Sequence, residues 1–387
     1  MNRREFTKLG ALLAAGAATA SATPLTFHRS TDLKYLQSKV NFIWDGSFLS
    51  PPEYADLLMR LVDEGKIKPD YYSNGGVVEE LENKMAKLLG KESAVFLPTG
   101  TLANHIAVRR LADDRRRVLV PAESHLYRDS GDCAQSLSNL NLVPLGKENA
   151  CYTVEEVVNT VQRTNQGRVE TEIGALMIES PVRRKYNRTL TLEFMKSIKE
   201  YANTENIHSH MDGARLFVQS AHSGITPAQY GEIFDTVYTS MWKCFNAPSG
   251  AILAGTSAFT EGMYHERRMF GGGLPHAWPF AAIALHYVDG FIDEYKAAWN
   301  TAERFFTILT KSNNFILKKF DDGTSIVRLN IHGADLNKFQ QALQRRNIEI
   351  RKPDKEGIWL CINPSLNRKT VEEMAVLFEE AYEESNI

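Results

Sequence analysis

Between residues 93 and 255, short apolar runs alternate with longer stretches of helical periodicity. The runs Ser93–Leu97, Arg117–Pro121, Leu140–Leu145, Ile173–Glu179, His208–Asp212, Thr236–Ser240 and Gly250–Gly255 are bounded by polar residues, glycine or proline. Runs this short and this apolar predict strands. Leu102–Leu111, Thr153–Thr164 and Leu192–Ala202 lie between them with apolar residues at helical spacing. Strand and helix in alternation predict an α/β domain, a mostly parallel sheet with helices on both faces. Such sheets bind ligands beyond the carboxyl ends of their strands, so chemistry is sought just after each run.

After Pro275 the pattern changes. A long helical stretch over 277–309 leads into a strand at Thr324–Ile331, a helix at Leu336–Arg345, a strand at Gly357–Asn363 and a last helix at 371–384. This predicts a small α+β C-terminal domain over 291–387, a large domain over 81–290 and an N-terminal arm over 23–80. Residues 1–22 stand apart. Arg3-Arg4 precede an alanine- and glycine-rich apolar run, Leu9–Ala22, which is too short to anchor in a bilayer. It ends in Ala20-Ser21-Ala22, the small-x-small pattern of a signal-peptidase site. The segment reads as a twin-arginine-type signal peptide and sets the expectation of an exported, periplasmic, bacterial protein with no membrane anchor after cleavage. A short amphipathic helix of a cytoplasmic protein is the competing reading.

Composition narrows the partners. With 45 Lys and Arg against 47 Asp and Glu, the formal charge of −2 gives no global attraction to nucleic acid or an anionic membrane. Cys133, Cys151, Cys244 and Cys361 lack the paired spacing of a metal knuckle or a disulfide framework, and no metal site is expected.

Four motifs sit at predicted strand ends. Pro98-Thr99-Gly100-Thr101 joins a strand to a helix whose free amides, with a glycine and two hydroxyls, make a phosphate cup; an ordinary helix cap has the same look. His125, in Glu-Ser-His-Leu-Tyr, can stack on a flat ring and exchange a proton near neutrality, or be a plain loop histidine. Asp212 ends an apolar strand, a costly place for a carboxylate without a partner, and Arg215 follows three residues later. The two could equally be a structural pair. Lys243 lies between Trp242 and Phe245, ahead of Ala247-Pro248; an apolar setting favours the neutral, nucleophilic amine over a solvated charge. Taken in order, an amine for a Schiff base and a carboxylate to hold a pyridine nitrogen protonated point to pyridoxal 5'-phosphate (PLP).

The motifs His210-Met-Asp-Gly-Ala-Arg-Leu-Phe217, Lys243-x-x-x-Ala-Pro-x-Gly, Pro98-Thr-Gly-Thr-Leu-Ala-Asn104 and Arg268-Met-Phe-Gly-Gly-Gly-Leu274 resemble those of the threonine aldolase and aromatic amino acid β-eliminating lyase family. The likeness runs over about residues 40–285. It implies the fold of fold-type I PLP enzymes, and it implies roles. Gly100 and Thr101 would hold the phosphate, His125 would stack on the ring and act in catalysis, and Asp212 would pair with the pyridine nitrogen. Lys243 would form the internal aldimine and Arg215 would bind the substrate carboxylate. Family members are homodimers or homotetramers with active sites built across an interface, where Tyr72 and Arg268 would contribute. The implied reaction is cleavage of a β-hydroxy-α-amino acid to glycine and an aldehyde. The chain departs from the family on the substrate side. Trp44-Asp45 stands for Ser-Asp, Asn141 for a second histidine, and Leu360 for a second arginine. Ser180-Pro-Val-Arg-Arg-Lys185 replaces a segment normally containing Asn and His, and Arg183 or Arg184 is either a substitute carboxylate ligand or a solvated turn. Trp44 suggests a bulkier, aromatic substrate side chain. Because the carboxylate grip sets which bond at Cα breaks, β-elimination, racemisation and a non-catalytic PLP-bound periplasmic protein stand as alternatives.

Overall fold

In the computed structural model, which describes residues 39–386 apart from Glu170, a two-residue strand, β1 (Val40–Asn41), precedes a seven-stranded sheet. The sheet is built from β2 (Ser93–Leu97), β3 (Arg117–Pro121), β4 (Asn141–Leu145), β5 (Ile173–Glu179), β6 (His208–Asp212), β7 (Thr236–Ser240) and β8 (Ala251–Gly255). Their order is β2-β8-β7-β6-β5-β3-β4. β3 to β7 pair in parallel, and β8 runs against both β7 and β2. All seven residues of β5 are buried, as expected of a strand covered on both faces. Successive residues of β8 feed different cores: Ala251 and Leu253 pack with Ile106 and Ala107, while Ile252 and Ala254 pack with Ile178 and Met195. Period-two alternation thus joins a helix layer to each face, at about 1.5–3 kcal/mol for each large apolar side chain buried.

The smaller sheet contains β9 (Phe315–Lys318), β10 (Ile326–Ile331) and β12 (Gly357–Cys361) in antiparallel order β12-β10-β9, while β11 (Ile348–Glu349) pairs in parallel with β1. Phe378 is its hub. Phe42, Phe305 and Phe339 meet that ring edge-on at 6.0, 4.9 and 5.8 Å. The helix Phe291–Leu309 serves both cores, giving Phe291 and Tyr295 to one and Ala298 and Phe305 to the other.

Two expectations are revised. The helical stretch over 277–309 is two helices, Trp278–Val288 and Phe291–Leu309, parted at Gly290. Glycine costs about 1 kcal/mol inside a helix and here caps the second one. The described part of residues 23–80 forms helices Pro51–Asp63 and Gly76–Leu88, whose Leu57, Leu61, Val78, Leu81 and Met85 join the large core. Ser50 and Glu53 close a capping box ahead of the first helix, which starts on Pro51-Pro52.

A loop after β5 is fastened to the small sheet. Tyr186 lies over Trp359 at 4.1 Å and Phe320 at 5.5 Å, both near parallel. Arg188 pairs with Asp322, and the Asn187 side-chain amide donates to Ser325 Oγ at 2.9 Å.

Candidate active site

A cavity of about 670 Å³ opens at the carboxyl ends of the parallel strands, where the alternating pattern directed attention. Gly100, Thr101, His125, Asp212, Arg215, Lys243, Trp44 and Arg183 all line it; Tyr72 does not. The fold brings these residues together from six separate loops and strand ends, most of them gathered because parallel strands discharge on one side.

The helix Gly100–Ala112 begins at the cavity wall, and Thr99 caps it by accepting the Leu102 amide at 3.2 Å. A helix start leaves amides without helical partners, which suits an anion, and Thr99, Gly100 and Thr101 line the cavity there. Gly100 is needed for space, because a Cβ there would lie 1.9 Å from Tyr238 Oη. Gly100→Ala is therefore expected to cost about 1–3 kcal/mol in urea denaturation, as overpacking does. An unchanged midpoint would mean that Tyr238 moves aside freely.

Asp212, at the end of β6, is 2% exposed. It accepts from Asn104 Nδ2 at 2.6 Å and from the Ala214 amide at 3.1 Å. With its nitrogen turned to Asp212, Asn104 offers Oδ1 to His210 Nε2 at 2.9 Å, so that nitrogen carries a proton. His210 Nδ1 then accepts from Thr236 Oγ1 at 2.8 Å. Burial drops His210 to about 4, which keeps the ring neutral. The result is a fixed, oriented carboxylate with a face on the cavity.

Lys243 sits in the turn between β7 and β8, its backbone anchored by fully buried Cys244 and Phe245. Its Nζ lies 5.6 Å from the Trp242 ring centre and makes no hydrogen bond among the described residues. Burial, helped by the Arg215 charge, lowers the amine to about 8.

Arg215 Nε donates to Asp45 Oδ1 at 2.7 Å, and both side chains are buried. Against burial, the Arg215 charge holds Asp45 below the ordinary carboxylate range. Arg183 spends its guanidinium on Asp129, and Arg184 bridges Glu123 and Asp129. Arg351 also lines the cavity and donates to the Ile43 carbonyl at 2.9 Å. The sequence comparison had looked to position 360, but Leu360 is fully buried in the small core. Arg351 is the arginine from that part of the chain that reaches the site. Trp44 stacks on Phe48 at 4.7 Å and meets Trp242 edge-on at 6.4 Å, forming an aromatic wall. Tyr72 lies outside, under the Arg268 guanidinium at 4.5 Å.

His125 opens the short helix His125–Arg128, with Nδ1 3.2 Å from Ser130 Oγ. Burial lowers its pKa. Its amide donates to Glu179, a cavity residue that lies outside the quoted motifs, as does Tyr238; Asn104 and His210 stand at the ends of two motifs that assign them no role. Burial and the Asp212 charge push Glu179 above the usual carboxylate range. A carboxylate closing an apolar run was the available signal, the same one that flagged Asp212.

The Beta-eliminating lyase family model matches residues 66–330. The chain is similar to low-specificity L-threonine aldolases of Candida albicans (27% identical over 60% of this chain and 62% of that protein) and Saccharomyces cerevisiae (29%, 59% and 59%). It therefore spans about six-tenths of the length of these curated relatives. Among solved structures, a putative L-allo-threonine aldolase from Listeria monocytogenes superposes with a TM-score of 0.72 at 24% identity, over 92% of this chain and 99% of that one. A putative aromatic amino acid β-eliminating lyase/threonine aldolase from Exiguobacterium superposes at 0.73 and 22%, over 90% and 98%. At such identity these two superpositions establish the fold, that of fold-type I PLP enzymes.

The expected periplasmic location is corrected by the same comparisons. Fungal and plant aldolases, from organisms without a bacterial periplasm, stand among the matched relatives, and the leader over residues 1–22 lies outside the described residues. With the family model covering well over half of the sequence, and with the fold in agreement, the chain belongs to the Beta-eliminating lyase family.

Proposed function

We propose that the protein is a PLP-dependent carbon–carbon lyase that cleaves a β-hydroxy-α-amino acid to glycine and an aldehyde. One observation carries the reading: a half-buried amine, a fixed buried carboxylate and an open helix N-terminus share a single cavity. These residues fit the cofactor. Thr99, Gly100 and Thr101 line the cavity at a helix start, and Asp212 retains a cavity face for a cationic ring nitrogen. When bound, PLP supplies an aldehyde carbon for an amine and a ring that withdraws electrons from Cα.

Each residue then has a task. The Gly100 and Thr101 amides hold the phosphate at the helix N-terminus. Asp212, oriented by Asn104 and Ala214, keeps a proton on the ring nitrogen. Arg215 has Nε committed to Asp45 and no partner for its Nη groups among the described residues, so these take the substrate carboxylate, with Arg351 lining the same cavity. His125, neutral at working pH, has Nε2 to accept the β-hydroxyl proton. Trp44 and Trp242 favour an aromatic group on Cβ. Tyr72 and Arg268, outside this chain's own cavity, serve a neighbouring copy in a homodimer or homotetramer.

The test is release of glycine and aldehyde by PLP-loaded protein from L-threonine, L-allo-threonine and phenylserine. Release is expected, with phenylserine preferred. Ketone and ammonia, or racemised substrate, without glycine would assign the site to elimination or Cα proton chemistry.

A further inference from the structure

We propose that Glu179 is the positioning residue of this site, one carboxylate that fixes His125 by holding two backbone amides from different loops. Oε2 accepts the His125 amide at 2.7 Å and Oε1 accepts the Arg183 amide at 2.9 Å. The first amide belongs to the loop after β3 and the second to the turn after β5. Glu179 itself ends β5 and is 3% exposed, so its own place is set by the central sheet. The clamp therefore refers both loops to a fully buried strand of the central sheet.

The choice of residue is informative. A carboxylate beside Asp212, away from water, is an expensive way to end a strand. A strand end can be finished by a hydroxyl or an amide at lower cost. Two acceptors facing two N–H donors, however, require a carboxylate, because a carboxamide presents one oxygen and one donor. The rim ties between the same loops, Arg183 and Arg184 to Asp129 and Arg184 to Glu123, are solvent-facing and contribute little. Registration of the two loops thus rests on Glu179. The charged and titratable groups around it are Asp212, its register partner on β6, with Arg215, Lys243 and the Tyr238 hydroxyl lining the same cavity.

This inference rests on the aldolase reading for its kinetic arm alone. In Glu179→Gln one amide loses its acceptor and meets a donor, which shifts the His125 ring. Misplacement on the ångström scale costs about 100-fold. The expected result with PLP-loaded protein is a kcat lower by about 100-fold, KM for phenylserine within about threefold, and a displaced His125 ring C–H resonance in NMR spectra. Loss of thermal stability alone, with kcat and that resonance unmoved, would reduce Glu179 to a strand-end anchor and overturn the proposal. If wild type releases no glycine, the aldolase reading fails and the His125 resonance still decides this one. Should the variant not fold, amide exchange in wild type replaces it. Slow, protected His125 and Arg183 amides support the clamp; free exchange at either overturns it.

Discussion

Replacing Lys243 by alanine is expected to lower turnover by about 10⁴-fold, because on the proposed function the change removes the amine that would receive the cofactor and yield it to substrate. The protein itself should remain folded. Lys243 is half-buried among cavity residues, and the turn is anchored by Cys244 and Phe245, which are untouched. The visible absorbance of lysine-bound PLP should vanish, together with borohydride fixation of the cofactor. A band of undiminished intensity, still fixed by borohydride, would show that another lysine carries the cofactor. The direction with pH follows from the amine's value of about 8. Wild-type reaction with added PLP should accelerate as pH rises through 8, where Lys243 becomes neutral, and level off above it.

Asp212→Asn is expected to cost about 10²–10³-fold in kcat, the range seen when one preorganised electrostatic partner of a developing charge is lost. Two effects combine. The neutral amide no longer holds a proton on a ring nitrogen. It also has one oxygen for two donors, the Asn104 side chain and the Ala214 amide, so one buried donor is orphaned. PLP affinity should fall less than kcat, since the phosphate cup at Gly100 is unaltered. Steady-state kinetics beside a PLP titration checks this, and full activity in the variant would refute the role given to Asp212.

The central sheet was legible because each strand was short, apolar and closed by a breaker; β5, β6 and β7 begin and end where Ile173–Glu179, His208–Asp212 and Thr236–Ser240 predicted. What escaped notice was short or bordered by polar residues. β9 is four residues with two of them exposed, and β1 and β11 exist only as a two-residue pair formed over a long chain separation. No local pattern marks such strands. The site divided in the same way. Lys243, Asp212, His125 and Gly100 carry local signatures, a turn, a strand end or a helix start. Asn104, inside a helix, and His210, inside a strand, have meaning only beside Asp212, and that adjacency comes from parallel pairing. Arg351 was missed because it reaches the cavity from just beyond β11, a two-residue strand paired with β1, where motif spacing gives no register.

The stacking of Tyr186 on Trp359 and Phe320, with Arg188 on Asp322, has an evolutionary consequence. Beyond the Arg183 amide held by Glu179, the loop over 186–188 takes its support from the small sheet, whereas the phosphate cup, Asp212 and Lys243 take theirs from the large one. The two halves can therefore accumulate mutations at different rates. A lineage can try new residues at 180–188 and at Arg351 without disturbing the cup. The departures from the resembled family's pattern at Trp44 and at 180–185 both fall outside the cup.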